Sequence, residues 1–227
     1  MKTDAFILNN VISELKWEPS VDASKIGVSV RDGVVTLSGY VDTFIEKLSA
    51  ERAARRVSGV EAIAEEIKIN LPQTYERDDA DIAEAAKNSL EWNVQVPHDQ
   101  IQVQVENGRV ILTGEVEKAY QKEAAHNAVC CLMGVKGVTN QISISPSIGP
   151  VGIKTKIKNA MKRHSAIDAR DIIVETTGSK VTLSGSVHSW IDKQEAGSAA
   201  WAAPGVTDVE NNIVVLPASE IHGVPAD

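Results

Sequence analysis

The segment VVTLSGYV at residues 34–41 returns as RVILTGEV at residues 109–116 and as KVTLSGSV at residues 180–187, so one pattern is written three times, at shifts of 75 and 71. The same shifts carry Gly59 and Val60 onto Gly134 and Val135 and then onto Gly205 and Val206. They also carry Ile67 and Ile69 onto Ile142 and Ile144 and then onto Ile213 and Val215. Register kept over such distances marks an internal repeat, which has to be settled before any element is assigned. The units run over residues 4–72, 80–146 and 152–217, joined by QTYERDD at 73–79 and SIGPV at 147–151, with a loose tail at 218–227.

Within the first copy of the segment, Val35, Leu37, Gly39 and Val41 fall on one side of a strand by the period of two. Gly39, and with it Gly114 and Gly185, therefore stands among inward positions, where another stretch of backbone is expected to pass close. Ile26, Val28 and Val30 alternate in the same way, as do Ile101, Val103 and Val105, and Ile172, Val174 and Thr176. Between the two strands, Asp32-Gly33 and Asn107-Gly108 supply the positive φ angles of a tight hairpin, and Gly178 stands near that place in the third copy.

Upstream of each hairpin, apolar residues at i, i+4 and i+8 mark one face of a helix: Ile7, Val11, Leu15; Ile82, Ala86, Leu90; Ile153, Ile157, Met161. Downstream, Ala50, Ala53, Ala54 and Val57 match Ala125, Ala128, Val129 and Leu132, and Ala196, Ala199, Ala200 and Ala203. These small side chains let a second helix lie close on the sheet. Gly59, Gly134 and Gly205 are expected as left-handed caps ending that helix, before a third strand. Each unit reads α-β-β-α-β, and the fold class is α/β in the α+β sense: three tandem units, each with two helices on a small three-stranded mixed sheet. Units of about 65 residues bury a marginal core alone, so packing between units is expected.

The α-β-β-α-β order, the V-x-L-[ST]-G-x-V strand and the later Gly-Val before a third strand resemble the BON domain, a family named from the osmotically inducible periplasmic protein Y and nodulation proteins. The resemblance covers nearly the whole chain in three copies. It implies a non-enzymatic bacterial module connected with osmotic or envelope stress, which attaches proteins to phospholipid membranes.

The 227 residues are 43% hydrophobic and 24% charged, ordinary usage for a soluble globular chain, which excludes fibrous and wholly disordered classes. Lys and Arg number 23 against 31 Asp and Glu, a net charge of −8, so the broad phosphate-neutralising surface needed for nucleic acid is absent. Cys130 and Cys131 are adjacent and build no disulfide framework; they map onto Arg55-Arg56 and Trp201-Ala202, inside the second helix, as small apolar filler. No stretch approaches the roughly 18 apolar residues of a transmembrane helix. The opening MKTDAFILNNVISELKWEP interrupts its apolar run too early for a signal peptide. Cytoplasmic placement is expected from this, with a periplasmic one as the alternative if a leader has been removed.

No catalytic residue, metal site or cofactor is predicted. There is no G-x-S-x-G turn, and Ser38 and Ser184 share their repeat position with Thr113, which suits a strand hydroxyl better than a nucleophile. His98, His126, His164, His188 and His222 are scattered, without H-E-x-x-H or C-x-x-C spacing. The glycines follow the repeat, not a phosphate-binding loop. Trp17 and Trp92 share a position after the first helix and are expected in a core or between units. Phe44, Ala119 and Trp190 share another, a variation that argues against a repeated ligand box.

Charge separates the copies. Unit one carries 8 basic and 11 acidic side chains, unit two 5 and 8, and unit three 8 and 7. In unit three, Lys154, Lys158 and Lys162 recur at i, i+4 and i+8 beside the apolar stripe, with Lys156 and Arg163 nearby. Lys154, Lys158, Lys162 and Arg163 are the candidate lipid-binding residues. The expected function is a non-catalytic binding or scaffold module whose partner is an anionic phospholipid surface, met peripherally, or another protein. The alternative is a soluble cytoplasmic sensor of a small ligand or ion.

Overall fold

Helices in this chain begin where a short polar side chain can satisfy the first free N–H groups. Thr3, Thr43, Asp78 and Ser189 each accept a hydrogen bond from the backbone N–H of Phe6, Glu46, Asp81 and Asp192. The computed structural model describes residues 3–145, 152–163, 171–187 and 189–216, with Lys162 in backbone only. The tail at 218–227 and His164, His188 and His222 lie outside the described residues.

Unit one consists of α1 (Asp4–Trp17), β1 (Ile26–Arg31), β2 (Val34–Val41), α2 (Phe44–Arg56) and β3 (Ala62–Ile69). Unit two follows with α3 (Asp79–Glu91), β4 (Ile101–Glu106), β5 (Arg109–Val116), α4 (Ala119–Cys130), β6 (Gly137–Asn140) and β7 (Ser143–Ile144). Unit three has α5 (Ile153–Arg163), β8 (Ile172–Thr177), β9 (Lys180–Val187), α6 (Trp190–Trp201) and β10 (Asp208–Val215). The repeated segment is the middle strand of every sheet, antiparallel to the strand before it and parallel to the strand after the second helix. A parallel return needs a crossover, and the alanine-rich helix supplies it. The architecture is therefore the expected one, three mixed α+β units with three small sheets.

The glycine of the middle strand has a steric cause. Gly39, Gly114 and Gly185 adopt φ of 109°, 134° and 115° and pair with Ile26, Ile101 and Ile172. A Cβ there would run into the carbonyl oxygens of Lys25, Gln100 and Asp171, the residues leading into the first strand. The hairpins close through Asp32-Gly33 and Asn107-Gly108, all at positive φ. In units one and two a carboxylate from the first helix braces that turn. Asp4 accepts from the N–H groups of Asp32 and Gly33 at 2.9 and 3.1 Å, and Asp79 accepts from those of Asn107 and Gly108 at 2.8 Å each.

Gly59, Gly134 and Gly205 are not the helix caps the sequence suggests. The caps are Val57, Cys131 and Ala202, and the glycines follow two or three residues later, at φ of 99°, 85° and 89°, in the turn into the third strand. In unit two this third strand is split. Asn140 Oδ1 accepts from the Ile142 N–H at 3.2 Å while its amide donates to the Lys122 carbonyl at 2.8 Å, and pairing with β5 is interrupted between Asn140 and Ser143.

Each unit has its own core, made from both helices and the inner sheet face, and the described residues include no buried polar or charged side chain. Contacts between units include the first residue of the second helix in units one and three. Phe44 of unit one packs on the core of unit two, and Trp190 of unit three packs on the core of unit one. The Trp190 indole N–H also donates to the Val60 carbonyl at 2.6 Å.

Candidate functional site

Helix α5 divides its surface by charge. Ile153, Ile157 and Met161 are buried, whereas Lys154, Lys156, Lys158 and Arg163 are exposed. The Arg163 guanidinium turns back to donate to the Asn159 carbonyl at 3.0 Å. Three of the four predicted lipid-contacting residues thus lie on the outer side of one amphipathic helix; the side chain of the fourth, Lys162, lies outside the described residues. The lysines on α5 are cations held over a buried apolar stripe, an arrangement suited to a negatively charged surface.

The residues weighed for chemistry do not converge. Ser38, Thr113 and Ser184 occupy one place on β2, β5 and β9, and Ser38 donates to the Gly27 carbonyl of the neighbouring strand at 3.5 Å. Among the described residues no group of three or more His, Cys, Asp or Glu is placed to hold a metal ion. Burial pushes the Cys130 thiol up to about 12, with Cys131 adding to the shift at an Sγ to Sγ distance of 3.4 Å. A thiol kept protonated is a poor nucleophile. Burial lowers the pKa of His126, Glu123 opposes the shift and Arg52 adds to it.

A cleft of about 750 Å³ lies where units two and three meet. Its walls include Ala119, Tyr120 and Lys122 from the start of α4, and Trp201, Gly205 and Val206 from the end of α6 and the turn beyond. The same wall positions recur at the junction of units one and two, where the cleft left open measures about 210 Å³, and at the junction of units three and one a cleft of about 380 Å³ lies between α2 and α6 beside Trp190. Sequence reasoning named none of these wall residues as a site. The usable signal was the position shared by Phe44, Ala119 and Trp190, which proves to be the joint between units.

The BON domain profile matches residues 3–70, 78–146 and 151–217, which is most of the chain. The chain belongs to the BON domain family. Its BON units are 28% identical over 144 residues to Osmotically-inducible protein Y of Escherichia coli (strain K12), spanning 61% of this chain and 71% of that protein. They are 27% identical over 146 residues to Outer membrane lipoprotein DolP of Haemophilus influenzae, spanning 61% and 74%. Among solved structures, the C-terminal domain of CdsD, a structural protein of the type III secretion system of Chlamydia trachomatis, is 14% identical and aligns over 96% of this chain and all of its own. Its TM-score of 0.26 is too low to equate the two architectures.

This kinship corrects one expectation. Cytoplasmic placement, read from the N-terminal residues, does not stand beside relatives that include a lipoprotein of the outer membrane. No helix among the described residues is long and apolar enough to cross a membrane. A second correction concerns the tryptophans at the ends of the first helices of BON units one and two. Trp17 and Trp92 are 83% and 86% exposed, not packed in a core or between units. Helical geometry explains the outcome: each lies two residues beyond the last core position, Leu15 or Leu90, and so points away from the buried stripe. The equivalent residue in BON unit three is Arg163.

Proposed function

We propose that this chain is a non-catalytic binding module of the cell envelope that docks peripherally on anionic phospholipid through helix α5. The observation that carries the reading is the split surface of α5, with Ile153, Ile157 and Met161 inward and Lys154, Lys156, Lys158 and Arg163 outward. Membership of the BON family and kinship to an outer membrane lipoprotein and an osmotically inducible protein support it. Each Lys or Arg near an anionic membrane contributes on the order of 1 kcal/mol, so a patch of this size gives weak, reversible attachment. The net charge of −8 opposes approach at long range. Screening over about 8 Å at physiological salt leaves the local patch free to act. The exposed indoles of Trp17 and Trp92 suit the same boundary, because an indole has an apolar body and a polar N–H.

Sedimentation with vesicles of phosphatidylglycerol and phosphatidylcholine tests the reading. The chain is expected to pellet at low salt, to be released as salt rises, and to stay in the supernatant with phosphatidylcholine alone. Replacing Lys154, Lys158 and Lys162 together by Glu is expected to abolish pelleting; Lys162 is included on its spacing in the sequence. Wild-type protein that never pellets at low salt, or a triple variant that pellets as before, overturns the assignment.

A further inference from the structure

The three junctions between units are copies of one joint, and one of them lacks its plug. The first residue of each second helix is offered to the turn after the next unit's second helix. Phe44 lies beside the Cys131–Val135 turn of unit two, Ala119 faces the Ala202–Val206 turn of unit three, and Trp190 meets Val60 of unit one. Phe44 and Trp190 fill their sockets with an aromatic ring. Ala119 has only a methyl group to offer, and its socket remains an open cleft of about 750 Å³, against about 210 and 380 Å³ beside Phe44 and Trp190.

The filled joint at Trp190 shows what the open one is built to hold. There the indole ring has a carbonyl acceptor in Val60 at 2.6 Å, the Lys193 ammonium 5.1 Å from the ring centroid and the Arg55 guanidinium 5.6 Å from it. The repeat shifts convert these partners into residues of the open socket. Val60 becomes Val206, Lys193 becomes Lys122 and Arg55 becomes Trp201, and all three line the cleft. The open socket therefore keeps the acceptor and one cation, and replaces the second cation with an aromatic wall on which a flat ring can stack. Apolar walls with a few convergent polar groups, at a volume within the range of small-molecule sites, are the ordinary form of a ligand pocket.

We propose that the cleft between units two and three is a binding site for a small indole-class molecule, which occupies beside Ala119 the place that Trp190 fills at the junction of units three and one. The ring N–H donates to the Val206 carbonyl, Lys122 supplies the cation and Trp201 the stacking face. This site is independent of the lysines of α5, and neither reading depends on the other.

The test is a titration of the full-length ¹⁵N-labelled protein with indole, followed through its amide resonances. Saturable shifts are expected in residues 117–126 and 198–206, and not around the filled sockets at 57–60 and 130–135. Ala119→Trp installs the missing plug and is expected to weaken indole binding by at least about tenfold, the equivalent of 1.4 kcal/mol. If that variant does not fold, Ala119→Phe, which copies the plug of unit one, takes its place with the same expectation. Absence of saturable shifts at low-millimolar indole, shifts scattered outside the cleft, or unchanged binding in the plugged variant each overturns the proposal.

Discussion

At the scale of single residues, the glycine of the repeated segment is the position with the least freedom. Its φ of 134° in Gly114, together with the Gln100 carbonyl oxygen where a Cβ would stand, means that an added methyl group meets backbone on one side and torsional strain on the other. Neither can relax without parting β4 from β5. Gly114→Ala is expected to destabilise the protein by about 1–3 kcal/mol, seen as a lower urea midpoint with an unchanged slope. A midpoint equal to wild type would show that the strand entrance moves aside freely. The sequence pointed to this residue because period-two alternation put it on the inward face. It could not identify the colliding carbonyl, which belongs to a residue 14 positions earlier, brought opposite by the hairpin register.

Among elements, the second helices show how side-chain size becomes distance. Ala196, Ala199 and Ala200 are all buried on the inner side of α6, with Ala203 buried just beyond its end, and Ala50, Ala53 and Ala54 do the same on α2. A methyl-surfaced helix and a sheet of Val, Leu and Ile approach closely, and the filled interior leaves no room for three more carbons. Ala199→Leu is therefore expected to cost about 1–3 kcal/mol, measured as a fall in the thermal midpoint; an unchanged midpoint would mean that this side of α6 has slack. The periodic faces were legible because a helix or strand repeats its environment every few residues. The split of the third strand in unit two was not. Asn140 bonds both Lys122 on α4 and the Ile142 N–H, but Asn211 makes the matching bonds in unit three on an unbroken strand, so these bonds do not explain the split.

For the whole molecule, one repeat position joins the units at two of their three junctions, through Phe44 and Trp190, and the third junction, at Ala119, is left open as a cleft. His126 lies in the wall of the same cleft, and its lowered pKa makes stability sensitive to acid. The unfolded chain takes up the proton at the ordinary value of 6.5, whereas burial delays uptake in the folded protein, so protons favour unfolding below that pH. Stability is expected to be level above pH 7 and to decline as pH falls below 6.5, a decline that His126→Gln should flatten. Nearby Glu123 works against the shift and Arg52 reinforces it. Urea midpoints at a series of pH values measure the slope; identical slopes in the two proteins would remove His126 as its source.

The sequence by itself determined the number of units, the order of elements within each, the inward faces of the helices and hairpins, and the family. All of these are written in short-range periodicity or in self-similarity, so each can be seen before the chain has folded. Only the tertiary structure decided that Trp17 and Trp92 face solvent while Phe44 and Trp190 are plugs, since all four are large aromatic side chains with no local mark of their surroundings. It also decided that the substitution at Ala119 opens a cleft. The walls of that cleft come from residues 117–126 and 198–206, distant in the chain and joined only when hydrophobic burial closes unit against unit.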